Sequence, residues 1–359
     1  MNDVERTIEG WDGLAVVCRR DEPAKAWIFV AIHDTTMGPA VGGTRLRAYP
    51  KPSDALEDAM RLAEAMTDKW AVLDMPFGGG KSVIAPDEPL HPGDREALFL
   101  RYGELLESLR GAFLSGVDVG VSPGDMAVVA RATRNVHGVD FADGSTLDPG
   151  PFTARGVRHA IGAALDVAFG NPDPAGRSIL VQGVGDVGRP LAVLLARAGA
   201  QVLVTDVDVE RAEAVAREIG GRSVVAEAAL DTPCDVFAPC AIGGILDDES
   251  VERVPCKVVA GSANAQLASP RIAERLHRRG IVYAPDFVAN GGGAAALGLI
   301  ALGEDEAAAI RKVDGIGETV REIFREAAAR DESPLAGAQR IVARRLAEKR
   351  RKLHIERGR

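Results

Sequence analysis

Residues 178–188 read SILVQGVGDVG, and this stretch decides the fold of the second half of the chain. An apolar run leads into a glycine-rich turn, from which DVGRPLAVLLARAG continues with the character of a helix. In this context the first glycine allows a tight turn, the second lets the backbone approach a pyrophosphate, and the third lets helix and strand pack closely. Free N–H groups at the helix start favour an anion. The residues predicted to bind a dinucleotide here are Gly183, Gly185, Asp186, Val187 and Gly188.

The sequence after this turn predicts a parallel sheet covered by helices on both faces. The runs QVLVTD, DVFAPC, KVVAGSA and IVYAPD alternate with helical segments, as in a Rossmann-type, doubly wound α/β domain. Asp206 ends the strand that follows the turn; an acid there accepts hydrogen bonds from ribose hydroxyls and repels a 2′-phosphate, so NAD is the expected cofactor. Arg211 is the one nearby residue that could weaken this preference. A purely structural turn and a different nucleoside site are the alternatives.

The chain has the length of two domains, since 359 residues exceed the roughly 100–200 that one domain takes. The first third mixes strands and helices, and AVVCRR and AWIFVAIH indicate two strands joined by a turn. The turn-rich segment 143–153, DGSTLDPGPFT, marks a domain boundary, and after residue 303 the chain is helical. We therefore expect an α/β domain at 1–150 plus about 325–359, with the C-terminal helices packing back on it, and a Rossmann domain at 151–324.

Composition excludes several classes of function. With 43 Lys+Arg against 52 Asp+Glu the net charge is −9, which argues against nucleic acid as a partner. Only 339–359 is basic, with nine Lys+Arg and two Glu; it predicts a solvated helix face or, alternatively, a dock onto an acidic part of this protein or of a partner subunit. No apolar run reaches the roughly 18 residues of a membrane span, and the N-terminus has no signal core. Four cysteines without CxxC spacing predict a cytoplasmic location.

A second glycine-rich stretch, DMPFGGGKS at 74–82, places a lysine directly after three glycines. It is not a phosphate-binding loop, because the first glycine of GxxxxGK[ST] would fall on Met75. The glycines let a small ligand reach both the backbone and Lys81. A lysine in a poorly hydrated cleft loses its charge more readily, and a nearby cation such as Lys69 adds to that effect. An ordinary surface lysine is the alternative.

Seven ordered blocks extend this pattern over most of the chain. They are GPAVGGTRLRAY (38–49), MTDKWAVLDMPFGGGKSVI (66–84), GVDVG (116–120), VQGVGDVG (181–188), CDVFAPCAIGGI (234–245), AGSANAQL (260–267) and YAPDFVANGGG (283–293). In these blocks the chain resembles the Glu/Leu/Phe/Val amino-acid dehydrogenases, specifically the leucine, phenylalanine and valine branch. The resemblance implies NAD-dependent oxidative deamination of an L-amino acid to a 2-oxo acid and ammonia, in a cleft between a substrate-binding first domain and the NAD-binding domain. It also implies a homo-oligomer and no metal.

The resemblance assigns roles to individual residues. It implies that Lys81 is the catalytic base, acting through water, and that Asp118 relays protons and balances the charge of Lys81. It implies that Lys69 binds the substrate carboxylate, helped by the backbone around Gly42 and Gly43. The residues that match positions bordering the nicotinamide and the substrate are Thr153, Asn264 and Asn290.

The same resemblance locates the pocket for the substrate side chain. The matching positions are Val41, Gly116, Ala294 and Leu297. All are apolar or lack a side chain, so we expect an apolar substrate. Because Gly116 and Ala294 are small, we expect room for an aromatic ring, although one or two methylenes of volume decide only about 1–3 kcal/mol of preference. None of the six histidines is given a role in the site.

Three rival functions are compatible with parts of the sequence. A 2-hydroxy-acid dehydrogenase would need a histidine base and an arginine anchor, and it leaves Lys69 and Lys81 unexplained. A non-catalytic NAD-binding protein of this family would be expected to have lost Lys81 or Asp118, and both are present. An enzyme that acts on a non-protein amino acid in a biosynthetic pathway stays open.

Overall fold

The computed structural model describes residues 8–139 and 146–357. The chain forms two compact units, the first within Met1–Leu147 and Arg344–Arg359 and the second within Asp148–Ala343. The return to the first unit, expected at about residue 325, therefore comes later. Residues between about 325 and 343 pack with the second unit instead. Ser333 donates a hydrogen bond to Glu274, and Leu335 contacts the core of that unit.

The first unit is built on a five-stranded sheet. Its strands are β1 (Ala15–Asp21), β2 (Ala26–Asp34), β3 (Ala40–Leu46), β4 (Gly78–Pro86) and β5 (Phe113–Val117). They lie in the order β1-β2-β4-β3-β5. Strand β2 is antiparallel to both of its neighbours, β1 and β4, whereas β3 runs parallel to both β4 and β5. Strand β3 therefore lies between β4 and β5, and this brings residues of three strands that are far apart in sequence close together.

Helices cover both faces of this sheet. They are α1 (Pro52–Val72), α2 (Pro92–Ser108) and α3 (Pro123–Ala130). Successive residues of a strand point to opposite faces. In β4, Val83 packs with residues of α1, and Ile84 packs with residues of α2 and α3. The two faces of the sheet can therefore be told apart by their helices, and we call them the α1 face and the α2 face.

The second unit contains a six-stranded parallel sheet. Its strands are β6 (Ser178–Gln182), β7 (Gln201–Thr205), β8 (Arg222–Ser223), β9 (Val236–Pro239), β10 (Val258–Val259) and β11 (Val282–Tyr283). They lie in the order β11-β10-β9-β6-β7-β8, and every pairing is parallel. The first strand is central and the chain moves outward to each side in turn, which is the Rossmann arrangement.

The helices of the second unit lie before, between and after these strands, and the last of them continues into the first unit. They are α4 (Gly150–Phe169), α5 (Gly188–Arg197), α6 (Val209–Ile219), α7 (Ser250–Arg253), α8 (Arg271–Arg278), α9 (Asp286–Ala289), α10 (Gly292–Ala301), α11 (Glu306–Asp314), α12 (Ile316–Ala328) and α13 (Pro334–Arg357), with a 3₁₀ helix at Ala226–Asp231. Within the described part of the chain, none of the helices has the length and apolar character needed to cross a bilayer.

The C-terminal part of α13 packs on the first unit through basic side chains. Arg345 donates hydrogen bonds to the carbonyl oxygens of Ala71 and Val72 in the last turn of α1. Arg350 forms an ion pair with Asp34, at 2.7 Å. A cation at the C-terminus of a helix satisfies free carbonyls and opposes the negative end of the helix dipole. Arg350 thus docks on an acidic residue of this protein, which was the alternative to a solvated face, whereas Arg345 docks on backbone carbonyls.

Candidate functional site

Lys81 lies within β4 with its side chain only 7% exposed. It is two residues before Val83 and therefore points to the α1 face. Its Nζ is 3.2 Å from Oδ2 of Asp118, which follows β5 directly. The structure thus brings these two predicted residues into contact, and it does so because both β4 and β5 pair with β3.

The glycines before Lys81 are required for packing. A Cβ added to Gly79 would lie 1.9 Å from Oγ1 of Thr67 in α1, and one added to Gly80 would lie 2.7 Å from Cδ2 of Phe113. In β3, a Cβ on Gly42 would lie 1.8 Å from the carbonyl oxygen of Gly80. The glycine run was interpreted from the sequence as an opening for a ligand; in the structure, its glycines let the helix and neighbouring strands approach closely.

Arg45 is a third charged member of this site, and its role was not predicted from the sequence. Its Nε donates to the same Oδ2 of Asp118, at 2.9 Å, and its Nη1 donates to Asp58 of α1, at 2.9 Å. Asp58 also accepts from Tyr49 and Arg61. Arg45 and Lys81 therefore share one oxygen of Asp118, and Arg45 links that carboxylate to Asp58 of α1.

Burial and charge act in opposite directions on the two catalytic candidates. Burial lowers the pKa of Lys81, and Arg45 lowers it further, against the opposing effect of Asp118. Burial acts to raise the pKa of Asp118, but the charges of Lys81 and Arg45 hold it below its ordinary value. The arrangement therefore favours a carboxylate that stays ionised beside an amine that releases its proton more easily than a free lysine.

Lys69 lies in the last turn of α1, next to Trp70, on the helix that covers the α1 face. The indole Nε1 of Trp70 donates to the carbonyl oxygen of Val41, at 2.9 Å, and ties this turn to β3. Gly42 and Gly43 follow Val41 in the same strand. The expected contributors to carboxylate binding are therefore on adjoining elements of the first unit.

The space beside Gly116 is already occupied. A Cβ on this residue would lie 2.1 Å from Cε1 of His137, so the imidazole rests directly against the backbone of β5. The small size of Gly116 predicted room for an aromatic substrate, and no role was expected for His137. No local pattern pointed to this contact, because it depends on which segment lies beside the sheet edge.

The glycine-rich turn after β6 has the geometry that a pyrophosphate needs. Gly183 has a φ of +89°, and a Cβ on Gly188 would lie 1.8 Å from the carbonyl oxygen of Gly183. A Cβ on Gly185 would meet no atom within 4 Å, so the backbone there faces open space. No side chain caps the start of α5 at Val187, which leaves its N–H groups available to an anion.

Asp206 follows β7 beside this turn, and both of its oxygens accept hydrogen bonds. Oδ2 accepts from the backbone N–H of Val184, at 2.9 Å. Oδ1 accepts from the N–H of Asp208, at 3.0 Å, and from Nη2 of Arg211, at 2.6 Å. The carboxylate is thus held firmly at the turn, and the arginine that could weaken the NAD preference is in contact with it.

The residues predicted to border the nicotinamide and the substrate make polar contacts within the second unit. Nδ2 of Asn290 donates to Oδ1 of Asn264, at 2.7 Å, and to the carbonyl oxygen of Ser262. The Oγ1 of Thr153, in the first turn of α4, accepts from the N–H of Gly293, at 3.2 Å. The remaining predicted pocket residues Ala294 and Leu297 lie in α10, which starts at this contact.

No group of three or more His, Cys, Asp or Glu side chains within residues 8–139 and 146–357 could hold a metal ion. All four cysteines are free.

Comparison with known proteins places this geometry in a family. The family model described as "Glu/Leu/Phe/Val dehydrogenase, dimerisation domain" matches residues 17–135. The model "Glutamate/Leucine/Phenylalanine/Valine dehydrogenase" matches residues 204–351.

Individual relatives cover nearly the whole chain. A leucine dehydrogenase from Thermoactinomyces intermedius is 40% identical over 343 residues, which are 96% of this chain and 92% of the relative. A phenylalanine dehydrogenase from Lysinibacillus sphaericus is 37% identical over 306 residues, 83% of this chain and 79% of the relative. The crystal structure of an L-tryptophan dehydrogenase from Nostoc punctiforme superposes with a TM-score of 0.83 at 33% identity, covering 97% of this chain and 99% of the other. The chain therefore belongs to the Glu/Leu/Phe/Val dehydrogenase family.

Proposed function

We propose that this protein oxidatively deaminates an apolar L-amino acid to the 2-oxo acid and ammonia with NAD as the cofactor. The observation that carries the proposal is the buried Lys81–Asp118 pair, at 3.2 Å, in a chain of this family. A buried lysine with a lowered pKa is suited to proton transfer, since a base works best when its pKa is near the working pH.

In the proposed mechanism the residues of the first unit bind the amino acid and move protons. Lys69 holds the substrate carboxylate, with the backbone of Gly42 and Gly43 beside it. After hydride loss the substrate is an iminium, and neutral Lys81 takes a proton from the water that attacks its carbon. Lys81 then returns that proton to the nitrogen, and ammonia leaves as the new hydroxyl group gives its proton to Lys81 and becomes the carbonyl of the 2-oxo acid. Asp118 stabilises the protonated state of Lys81 through the 3.2 Å contact.

The second unit would hold the cofactor. A nicotinamide dinucleotide, when bound, accepts the hydride from the substrate α-carbon. The turn from Gly183 to Gly188, which includes Asp186 and Val187, would hold the pyrophosphate at the start of α5, and Asp206 would accept from the ribose hydroxyls. The residues proposed to border the nicotinamide are Thr153, Asn264 and Asn290. We further propose that Val41, Gly116, Ala294 and Leu297 line the substrate side chain.

The proposal includes two properties of the whole protein. The match to a family model named for dimerisation supports a homo-oligomer. The absence of disulfides among the four cysteines is compatible with the cytoplasmic location that the sequence predicts.

A substrate panel tests the proposed reaction. The purified protein is mixed with NAD or NADP and each apolar L-amino acid at alkaline pH, and absorbance at 340 nm is followed; the reverse reaction is run with 2-oxo acids and ammonia. We expect NADH with at least one of leucine, valine and phenylalanine. No turnover with any of them, in either direction, would contradict the proposal and favour the non-protein amino acid or the non-catalytic alternative.

Two substitutions test the choice of NAD. Asp206→Ala removes the carboxylate and should narrow the preference for NAD over NADP. Arg211→Ala keeps the carboxylate of Asp206 and removes the guanidinium that contacts it. It should widen the preference, because less positive charge is left to attract a 2′-phosphate. A cofactor preference unchanged in Asp206→Ala would place the ribose contact elsewhere.

A further inference from the structure

The chain turns directly after β5, and this turn begins with Asp118. The N–H of Val121 donates to the carbonyl oxygen of Asp118, at 3.0 Å, and closes the turn. Gly120 has a φ of +78°, and a Cβ added to it would lie 1.9 Å from the carbonyl oxygen of Leu46. The turn therefore needs glycine at this position, and it lies directly against the end of β3. We call residues 118–121 the Asp118 turn.

The tip of the Asp118 turn is held by its backbone rather than by side-chain packing. Val119 is 60% exposed, and Gly120 has no side chain. The carbonyl oxygen of Val119 accepts from the N–H of Leu46, at 2.9 Å. The carbonyl oxygen of Gly120 accepts from Nη2 of Arg95, at 2.7 Å. Arg95 lies in the first turn of α2, so a side chain from a helix of the α2 face reaches the turn that carries Asp118.

The guanidinium of Arg95 is itself fixed by Asp125, in the first turn of α3. Its Nε donates to Oδ1 of Asp125, at 2.8 Å, and its Nη2 donates to Oδ2, at 2.7 Å. The same Oδ2 accepts from the N–H and from the hydroxyl of Ser122, each at 2.6 Å. A planar guanidinium that is bound to both oxygens of a carboxylate has little freedom to rotate. The second N–H of Nη2 therefore stays aimed at the carbonyl of Gly120.

The contact between Asp118 and Lys81 depends on where this turn lies. Oδ2 of Asp118 is 3.2 Å from Nζ of Lys81 and 2.9 Å from Nε of Arg45. A displacement of about 1 Å would take Oδ2 beyond hydrogen-bonding distance of Nζ. Lys81 and Arg45 lie within strands, whereas Asp118 lies in a turn and needs further contacts to stay in place.

The charges that act on the Lys81 amine come from three side chains. Asp118 and Asp58 raise its pKa, and Arg45 lowers it. The ring of His137 also lies near Lys81, and it is neutral above about pH 4 because burial lowers its pKa. Displacement of the Asp118 turn would remove one of the two anions and leave the cation, so the pKa of Lys81 would fall further.

We propose that Arg95 is a positioning residue for the deamination, which holds the Asp118 turn through the carbonyl of Gly120 so that the carboxylate of Asp118 stays in contact with Lys81. This inference rests on the proposed function and gives Arg95 no contact with substrate or cofactor. The alternative is that the pair of Arg95 and Asp125 only joins the starts of α2 and α3.

Arg101 provides a matched control, because it forms the same kind of pair from the same helix. Its Nε and Nη2 donate to the two oxygens of Asp21, each at 2.7 Å. The side chain of Arg101 is 25% exposed and that of Arg95 is 31% exposed. Asp21 ends β1, which is at the opposite edge of the sheet from β5. Arg101→Gln thus removes a pair of similar geometry and burial far from the Asp118 turn.

The main experiment compares pH profiles of kcat/KM, with the amino acid that the parent turns over fastest. Arg95→Gln should move the acid limb to lower pH, by about half a unit or more, because the pKa of Lys81 falls when Asp118 moves away. Its kcat should fall by about threefold or more, because Asp118 no longer stabilises the protonated state of Lys81. Arg101→Gln should leave the acid limb and kcat near those of the parent.

Arg95→Lys tests whether the fork of the guanidinium is needed. It keeps the positive charge, but an ammonium cannot bind the carboxylate of Asp125 in a planar fork while it holds the carbonyl of Gly120. Its acid limb should therefore lie between those of the parent and Arg95→Gln. If Arg95→Gln does not fold, Arg95→Lys is compared with Arg101→Lys in its place.

Two measurements follow the same effect without turnover. Hydrogen exchange of a peptide spanning residues 116–122, read by mass spectrometry, should be faster in Arg95→Gln than in the parent and in Arg101→Gln. Labelling of Lys81 with acetic anhydride at a series of pH values reports the pKa of its amine, which should be lower in Arg95→Gln than in the other two proteins. Thermal unfolding should show a lower Tm in both glutamine variants, because each loses an ion pair.

The outcomes separate this inference from the proposed function. A lower Tm in both glutamine variants, with the acid limb and the labelling of Lys81 unchanged, overturns the role of Arg95 and leaves the deamination in place. An acid limb that moves equally in Arg95→Gln and Arg101→Gln overturns it as well. A parent with no turnover of any amino acid contradicts the proposed function, and the exchange and labelling measurements then still decide whether Arg95 holds Asp118 against Lys81.

Discussion

One carboxylate shared by two cations controls the chemistry of Lys81. Burial alone can lower the pKa of a lysine by up to about 3–5 units. An ion pair at about 4 Å contributes about 4 kcal/mol at an effective dielectric of about 20, which is about 3 pKa units in the opposite direction. An unshared Asp118 could therefore cancel much of the effect of burial. Arg45 competes for the same oxygen, so burial prevails and the pKa of Lys81 falls.

Arg45→Gln tests this competition through the pH profile. Removing the guanidinium leaves Asp118 to stabilise the Lys81 ammonium alone, so the pKa of Lys81 should rise. Lys81 acts as a base only when it is neutral, and the acid limb of kcat/KM should therefore move to higher pH, with activity lost near neutral pH and regained on the alkaline side. Arg61→Gln is the matched control, because Arg61 contacts Asp58 but not Asp118. An acid limb that stays in place or moves to lower pH contradicts the account.

Lys69→Ala tests the binding of the substrate carboxylate. The amine is expected to contact the substrate in both the ground state and the transition state, so its loss should mainly raise KM, by about tenfold or more, with a smaller change in kcat. Lys69→Arg keeps the charge and should recover part of the loss. A KM that is unchanged in Lys69→Ala would show that the carboxylate binds elsewhere.

Residues that form part of a local motif could be assigned from the sequence, and residues whose partners come from another element could not. Lys81 and Asp118 stand in short blocks that resemble a family, and they are in contact in the structure. Arg45 is also in such a block, but its link to Asp118 depends on β3 lying beside β5. His137 stands in no motif, and its position depends on a single bridge at the sheet edge.

At the scale of elements, glycines control how closely helices and strands approach. Gly188→Ala should push α5 away from β6, because its Cβ would lie 1.8 Å from the carbonyl oxygen of Gly183. Overpacking of this kind costs about 1–3 kcal/mol. We expect a lower Tm and NAD affinity reduced by about tenfold or more, measured by thermal unfolding and calorimetry.

Gly185→Ala separates the two effects. Its Cβ would meet no protein atom within 4 Å, so the Tm should stay near that of the parent while NAD binding weakens, since the side chain would occupy the space of the pyrophosphate. If Gly185→Ala and Gly188→Ala changed the Tm and the NAD affinity equally, the two glycines would not have separate roles in binding and in packing.

The type of element was easier to predict than its packing. The strands AVVCRR and AWIFVAIH and the Rossmann alternation after residue 178 appear in the structure as β1, β2 and the second sheet. The glycines of residues 78–80 were attributed to ligand access, because a sequence does not show that Thr67 and Phe113 lie against them. The periodicity of apolar residues predicts that a helix or strand has one buried face, but it does not predict which other element packs against that face.

At the scale of the whole molecule, the two-unit α/β fold predicted from the sequence agrees with the family match and with a related structure that covers nearly all of the chain. The boundaries were harder to predict. Nothing in the sequence of helices α11, α12 and α13 shows which unit each one packs on, and only their contacts show that the chain returns to the first unit at Arg344. Helical character alone does not distinguish a helix of one unit from a helix of the other.

The C-terminal segment should contribute to the stability of the first unit. Arg345→Ala removes a half-buried guanidinium from the last carbonyls of α1 and should cost about 1–3 kcal/mol of unfolding free energy. Arg350→Ala removes a more exposed pair with Asp34 and should cost under about 1 kcal/mol. Lys352→Ala, at an exposed position, is the control. Denaturant unfolding measures all three, and equal stabilities would show that the segment does not hold α1.

The central claim is that Lys81 provides the base for an oxidative deamination. The most direct test is NADH formation from L-leucine and NAD by the parent and by Lys81→Ala under identical conditions, with NAD binding measured by calorimetry. The account predicts that the parent turns over and that the variant loses about 10²–10⁴-fold in kcat while it binds NAD with parental affinity. A variant that oxidises leucine at the parental rate would contradict the account.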